Sequence, residues 1–103
     1  SRANLNGADL RGANLSGSDL QYAKFKRANL NGTNLNGADL RKANFFGADL
    51  RNAKLEWTKL RGANLMEANL TDAIIKFEIN ENLDIAILCK TQTSSGEQNS
   101  DCK

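Results

Sequence analysis

A five-residue hydrophobic period runs through most of the chain. From Leu5 to Ile75 every fifth residue is Leu, Phe or Ile, and the residue two positions earlier is Ala, Ser or Thr. Five residues of α-helix turn through about 500°, which would spread these side chains around the helix. On a flat strand, an odd period would send alternate side chains to opposite faces. The period therefore predicts a chain that turns a corner in every repeat.

Such a chain points every large side chain at a common axis, and its stacked coils form a solenoid. Most of the large residues follow an Asn or Asp, whose side chain can bond nearby backbone at a turn. Gly stands two positions after many of them and supplies the positive φ of a tight turn. The predicted core ladder is Leu5, Leu10, Leu15, Leu20, Phe25, Leu30, Leu35, Leu40, Phe45, Leu50, Leu55, Leu60, Leu65, Leu70 and Ile75.

The repeated motif Ala-(Asn/Asp)-Leu-X-X resembles that of the pentapeptide-repeat proteins, and the resemblance covers residues 1–76. It implies an all-β fold: a right-handed quadrilateral parallel β-helix with four repeats per coil and a little under four coils. Residues 77–103 leave the pattern, and we expect them to form a C-terminal cap and a polar hairpin or loop. Within them, the apolar segment before residue 89 is compatible with either a short helix or a strand.

Four repeats per coil would stack residues that are twenty apart in the sequence. Gly17, Gly37, Trp57 and Phe77 then share one column. We expect Trp57 to be a hydrophobic plug beneath the cap. The alternative is an aromatic side chain that stacks on a ligand.

The same register stacks Asp19 on Asp39, with Lys59 next in the column. A close carboxylate pair can bind a cation or act as acid and base. A regular convex rod offers no cleft for such a site, however, and catalytic sites need one. We therefore interpret the column as a solvated ladder in which Lys59 offsets part of the repulsion.

The composition excludes several kinds of chemistry. The chain has no His, which removes Ser-His-Asp and Cys-His catalysis. Two Cys without His cannot fill a tetrahedral zinc shell. The Gly residues follow the five-residue period and form no phosphate-binding loop. We expect no catalytic residue, no metal, no cofactor and no small-molecule substrate, which makes the chain a non-enzymatic structural or protein-interaction module.

The charge is divided unevenly along the chain. Residues 1–75 carry eleven Lys and Arg against seven Asp and Glu, whereas residues 76–103 carry three against five. Two basic clusters form a candidate partner surface for an anionic molecule; the favoured interpretation is a solubilising surface of mixed sign. The clusters are Lys24, Lys26 and Arg27 on one face, and Arg41, Lys42, Lys59 and Arg61 on another. Phe46 and Met66 share an outward column with Lys26 and could make a small protein contact.

The expected partner is a protein, and nucleic acid is not expected. Family members that protect topoisomerases resemble duplex DNA through an acidic surface along a long rod. A topoisomerase-binding DNA mimic is therefore the alternative function. This chain departs from it twice, because its repeats are basic and its rod is short.

Cys89 and Cys102 flank a polar loop and are the two cysteines of the chain. They form either a disulfide, worth about 3 kcal/mol in the chain-entropy model, or two independent thiols of a cytoplasmic protein. Residues 87–91 with Gly96 and Cys102 resemble the tails of some pentapeptide-repeat proteins from cyanobacteria and the thylakoid lumen. That resemblance implies a disulfide and an oxidising compartment, the thylakoid lumen or the periplasm.

The ends of the chain give further expectations. The sequence opens within a repeat at Ser1 and has no initiator Met, which favours a processed product. The first coil has no cap, and its open edge leaves two alternatives: upstream residues that have been removed, or a dimer through the N-terminal end. No apolar run is long enough for a transmembrane helix.

Overall fold

The fold is described from a computed structural model for residues 2–76, 91–93 and 96–98. Strand β1 pairs parallel with β2, and β3 pairs antiparallel with β4. Isolated parallel bridges join the other repeats of residues 2–76. The strands are β1 (Lys54–Glu56), β2 (Ile74–Lys76), β3 (Thr91–Thr93) and β4 (Gly96–Gln98).

The parallel pairs join residues that are twenty apart. Asn4 lies beside Lys24, and Lys24 lies beside Asn44. The same offset starts at three other positions of the first coil: Asp9, Asn14 and Asp19. Four repeats therefore make one coil, as the family resemblance implied, and successive coils stack at a strand spacing of about 4.8 Å. The result is a β-helix with four walls.

We number the walls in chain order by the repeats that form them. Wall 1 contains residues 3–7, 23–27, 43–47 and 63–67. Wall 2 contains residues 8–12, 28–32, 48–52 and 68–72. Wall 3 contains residues 13–17, 33–37, 53–57 and 73–76. Wall 4 contains residues 2, 18–22, 38–42 and 58–62.

Each wall ends at a residue with left-handed backbone, two positions after its large core residue. Within residues 2–76, Gly fills seven of these positions with φ of 66–72°, and other residues fill eight with φ of 57–61°. Left-handed backbone costs a residue with a side chain roughly 1–2 kcal/mol, and Gly avoids that cost. Residues with large side chains occupy some of these positions despite the strain; they include Tyr22, Arg27, Lys42 and Trp57.

Large side chains form one inward column and small ones form another. The large residues from Leu20 to Leu70 are at most 8% exposed, whereas Leu5, Leu10, Leu15 and Ile75 are partly buried and pack against them. The central coils thus bury their large side chains almost completely, and the first coil does so less completely.

Two details show how closely the interior is filled. The rings of Phe25 and Phe45 stack one coil apart, with centroids 4.7 Å apart and planes 2° from parallel. Thr33 replaces Ala in the small column and is fully buried. Its hydroxyl donates to the carbonyl oxygen of Leu10 at 2.6 Å, so the polar group does not remain unsatisfied.

The Asn and Asp side chains before the large residues accept the backbone N–H two residues later, as the sequence predicts. Lys24 stands at such a position and cannot accept. There, Asn6 in the preceding coil accepts the N–H of Lys26 at 2.8 Å. Asn36 accepts the N–H of Glu56 from the preceding coil in the same way, at 2.9 Å. The turn of one coil is therefore stabilised by a side chain of its neighbour.

The prediction that Trp57 is a buried plug is wrong. Its side chain is 57% exposed, because it occupies a left-handed corner position and points away from the axis. Phe77, Cys89, Cys102 and most of the expected cap lie outside the described residues. Strands β3 and β4 fall in the segment for which a hairpin or loop was expected. The cap, the disulfide and the N-terminal dimer stay predictions.

No helix in the described part of the chain is long and apolar enough to cross a membrane.

We expect Leu40→Ala to destabilise the protein by about 2–5 kcal/mol, because a fully buried side chain leaves a cavity in a packed column. Urea or thermal unfolding followed by circular dichroism measures the change. Leu5→Ala is the matched control: the same substitution at the same position of the repeat, where the side chain is only partly buried. Its loss should be smaller. Equal losses in the two variants would contradict the described gradient of burial.

Candidate interaction surface

The twenty-residue register divides the charges between two halves of the surface. Walls 1 and 4 carry eight Lys and Arg against three Asp and Glu, a net charge of +5. Walls 2 and 3, up to residue 76, carry four against four, a net charge of zero. The excess positive charge of the coils therefore lies on one side.

Walls 4 and 1 are consecutive in the chain and meet at a corner. The cations of both walls are exposed, except for Arg41, which is partly buried. We call this surface the basic corner. It consists of Arg2, Lys24, Lys26, Arg27, Arg41, Lys42, Lys59 and Arg61.

All seven cations proposed from the sequence lie on the basic corner. Lys24, Lys26 and Arg27 belong to wall 1, and the other four belong to wall 4. The sequence interpretation missed Arg2, although the twenty-residue register places it in the column of Tyr22 and Lys42.

Tyr22 holds two of these cations in place. The guanidinium carbon of Arg2, one coil earlier, lies over the ring at 4.3 Å from its centroid. The ammonium of Lys42, one coil later, lies over the ring at 5.6 Å. Tyr22 is 40% exposed, and at exposed sites such contacts contribute about 0.5–1 kcal/mol. The column thus presents two ordered positive charges at the edge where walls 4 and 1 meet.

Phe46 plays a similar part on wall 1. Lys26 and Arg27 lie over its ring at 5.8 and 5.4 Å. A Cβ added at Gly47 would meet the Cγ of Arg27 at 3.3 Å. The absent side chain therefore leaves room for the stem of Arg27 to lie along the next coil. Gly62 leaves the same kind of room for Lys42.

Asp39 does not form an acid–base pair with Asp19. Arg41 donates from Nε to Oδ1 at 2.8 Å and from Nη2 to Oδ2 at 2.6 Å. These side-chain hydrogen bonds lower the pKa of Asp39. Asp19 is exposed and accepts from the side-chain amide of Gln21 at 3.1 Å. Arg41 thus stabilises the ionised carboxylate of Asp39, and this does not favour a proton shared with Asp19.

The Arg–Asp fork recurs wherever the triplet Asp-Leu-Arg occurs. On wall 2, Arg11 pairs with Asp9 and Arg51 pairs with Asp49, each at 2.7 Å. Hydrogen bonds from Arg11 lower the pKa of Asp9 to about 2, and those from Arg51 lower the pKa of Asp49. The triplet was a signal in the sequence that the interpretation of the Asp19–Asp39 column did not use.

Among the described residues, no cluster of three or more His, Cys, Asp or Glu side chains is arranged to hold a metal ion. The chemistry that these walls offer is charge and hydrogen bonding at the surface.

Replacing Arg41 with Gln should raise the pKa of Asp39 toward its ordinary value, because the side-chain hydrogen bonds from the guanidinium, the largest cause of the lowering, are removed. The pair stabilises the wild-type fold above the unfolded-state pKa of Asp, and this contribution is lost as the pH falls through the lowered pKa. A carboxyl-carbon NMR titration of Asp39 measures the change. Arg51→Gln is the control, and it should raise the pKa of Asp49 and leave Asp39 unchanged. An unchanged Asp39 titration in Arg41→Gln would contradict the described fork.

Solved structures similar to the chain include a pentapeptide repeat protein from the Arabidopsis thaliana thylakoid lumen. It is 26% identical, with 98% of this chain and 72% of that chain covered and a TM-score of 0.71. QnrB1, a plasmid-mediated fluoroquinolone resistance protein, is 23% identical with a TM-score of 0.54, and the likeness covers 74% of this chain and 48% of that one. At that identity it shows the fold alone. Both support a right-handed β-helix.

A pentapeptide repeat protein from Nostoc is 35% identical, with 90% of this chain and 82% of that chain covered and a TM-score of 0.45. No curated protein sequence matches the chain significantly. The family described as Pentapeptide repeats matches residues 1–37, 23–62 and 48–77, in eight copies. These matches span the coils that form the four walls, and the chain belongs to the pentapeptide repeat family.

Proposed function

We propose that the protein is a non-enzymatic protein-interaction module that holds outward side chains in a fixed register. The segregation of the coils' positive charge onto two adjoining walls is the observation that carries this proposal. Charges that serve only solubility do not need to be concentrated on one half of the surface, with the other half neutral. A surface with one sign attracts and orients a partner of the opposite sign.

The β-helix suits this role because its outer side chains stand on a tightly connected backbone. Each coil bonds to the next at every wall, for example from the N–H of Leu40 to the carbonyl oxygen of Lys59 at 2.8 Å. Asx hydrogen bonds fix the start of most corners. A surface that is already ordered loses little conformational entropy when a partner binds.

We place the protein in an oxidising, extracytoplasmic compartment, with the thylakoid lumen or the periplasm as the two candidates. The likeness to the Arabidopsis thylakoid-lumen protein supports this location. A disulfide between Cys89 and Cys102 would agree with it, since structural disulfides persist in such compartments. The cytoplasm is the alternative, with both thiols reduced.

The topoisomerase-binding DNA mimic remains the second candidate function. The likeness to QnrB1 is one of fold. The charges oppose the role, because a DNA mimic needs an acidic face, and walls 2 and 3 are neutral while walls 1 and 4 carry +5.

Four single substitutions, one on each wall, test the interaction module. They are Lys24→Gln on wall 1, Arg51→Gln on wall 2, Lys54→Gln on wall 3 and Arg61→Gln on wall 4. Each removes one positive charge from an exposed side chain, so the melting temperature should change little. The largest fall is expected for Arg51→Gln, which also breaks the surface ion pair with Asp49. Tagged protein is incubated with extract of its native compartment, and the retained proteins are quantified by mass spectrometry.

A partner of this module should be retained by the wild type and lost in the variants of one or two walls. The other variants serve as controls for non-specific retention. If the retained proteins are the same for the wild type and all four variants, the walls select no partner and the proposal is wrong.

Intact mass with and without alkylation tests the compartment, on protein purified without reductant from its native source. We expect a mass two hydrogens below that of the reduced chain and no alkylation, because the two thiols are bridged. A variant with both cysteines replaced by Ser controls for alkylation elsewhere. Two alkylated thiols would place the protein in a reducing compartment and support the cytoplasmic alternative.

A further inference from the structure

We propose that the basic corner binds a flexible acidic segment of a partner protein, one in which Asp and Glu are clustered. The proposal rests on the interaction module proposed above and names its surface and the chemistry of its partner. The surface is the corner shared by walls 4 and 1, with a net charge of +5. The carboxylates of such a segment would complement that charge.

The shape of the corner favours a flexible partner. Four walls close one coil, so walls 4 and 1 face directions that differ by about a quarter turn. Lys59 and Arg61 lie on one of them, and Lys24 and Lys26 on the other. A flat membrane or a straight duplex meets a convex edge along one wall or a narrow line. A flexible chain can bend over the edge and contact cations on both walls.

The aromatic side chains of the corner are engaged with its cations. Arg2 and Lys42 lie over the ring of Tyr22, and Lys26 lies over the ring of Phe46. Proteins that bind single-stranded nucleic acid stack its bases on open aromatic faces, and these two rings do not offer such platforms. The rings instead hold positive charges in place, which suits a partner that contributes carboxylates.

Apolar surface lies among the cations as well. Phe46 and Met66 are half-buried neighbours in one column of wall 1, one coil apart. A phosphate backbone brings no apolar group to such a place, whereas an acidic protein segment can carry apolar residues between its carboxylates. Wall 1 therefore fits a mixed acidic and apolar sequence better than a uniform polyanion.

The corner also has residues other than Gly at positions where the left-handed backbone favours Gly. Arg2, Tyr22, Arg27, Lys42 and Glu67 have left-handed backbone on walls 1 and 4. On walls 2 and 3 the corresponding positions hold Gly, Asn or Asp, apart from Trp57. Asn and Asp tolerate this conformation better than Arg, Lys or Tyr do. Retained strain of this kind is a feature of functional surfaces.

The test measures binding of a fluorescent Glu-rich peptide with interspersed Leu by anisotropy at about 0.15 M salt, where charges on opposite walls are screened from each other. The corner variant is Lys24→Gln with Arg61→Gln. The control variant is Lys54→Gln with Arg51→Gln, which removes the same two charge types from walls 2 and 3. A peptide with Gln in place of Glu controls for the carboxylates.

We expect the corner variant to bind the Glu-rich peptide about tenfold more weakly than the wild type and the control variant to bind within about twofold. Binding should weaken as salt rises and be absent for the Gln peptide. Equal weakening in both variants, or no binding of the Glu-rich peptide to the wild type, would overturn the proposal.

Arg27→Gly with Lys42→Gly provides a second corner variant that relieves left-handed strain. Its melting temperature should not fall, and its peptide affinity should drop about tenfold. Loss of binding can then be separated from loss of fold. Unchanged affinity in this folded variant would overturn the proposal.

Three other anionic probes decide the class of partner: a short DNA duplex, a single strand of the same length, and vesicles of phosphatidylcholine with phosphatidylglycerol. We expect each to bind more weakly than the Glu-rich peptide, and tighter binding of any one would overturn the proposal. In the extract experiment, a partner lost with Arg51→Gln or Lys54→Gln and kept by Lys24→Gln and Arg61→Gln would leave the interaction module intact and reject this surface.

Discussion

The β-helix of residues 2–76 depends on one backbone constraint: from residue 2 to residue 72, every fifth residue adopts a left-handed conformation and the chain turns a corner there. Without that turn, the large residue of each repeat could not face the same axis as its neighbours. With it, each wall is only a few residues long, and most of its backbone hydrogen bonds go to the coils before and after it. Gly meets the constraint with the least strain, which explains its place in the repeat.

The constraint also separates what the core and the surface require. Inward positions accept one large and one small residue, and substitution there creates a cavity or overpacks the coil. Outward positions are less restricted: the corner position favours Gly because of its left-handed backbone, and the bonding role of the Asx position can be supplied by the preceding coil, as Asn6 does for Lys26. The charge pattern of walls 1 and 4 is therefore not dictated by the packing of the core.

Much of the fold follows from the sequence because the period leaves few alternatives, and the twenty-residue offset came from the family resemblance. The stacking of Asp19, Asp39 and Lys59 follows directly from that offset. The ion-pair partner of Asp39 does not follow from the offset. That partner is Arg41, two residues later in the same turn of chain, and side-chain geometry decides the pairing. The exposure of Trp57 was missed because an aromatic residue near the last coil was expected to be buried. The sequence interpretation placed the cations on two separate faces; that these faces adjoin at one corner follows once the charges are summed by wall.

In a β-helix with four repeats per coil, the length of an insertion or deletion decides whether later residues stay on the same wall. Loss or gain of twenty residues would preserve every column on every wall. Loss of a single repeat between Arg27 and Arg41 would keep each large residue on the axis, yet it would move Arg41 and Lys42 from wall 4 to wall 3, opposite Lys24. The core would keep its alternation of large and small residues, although Phe45 would leave its stack with Phe25, and the basic corner would be divided between opposite sides. In this architecture, the number of repeats between two clusters sets the angle between them around the axis. One short deletion can therefore divide a surface without altering any of the residues that form it.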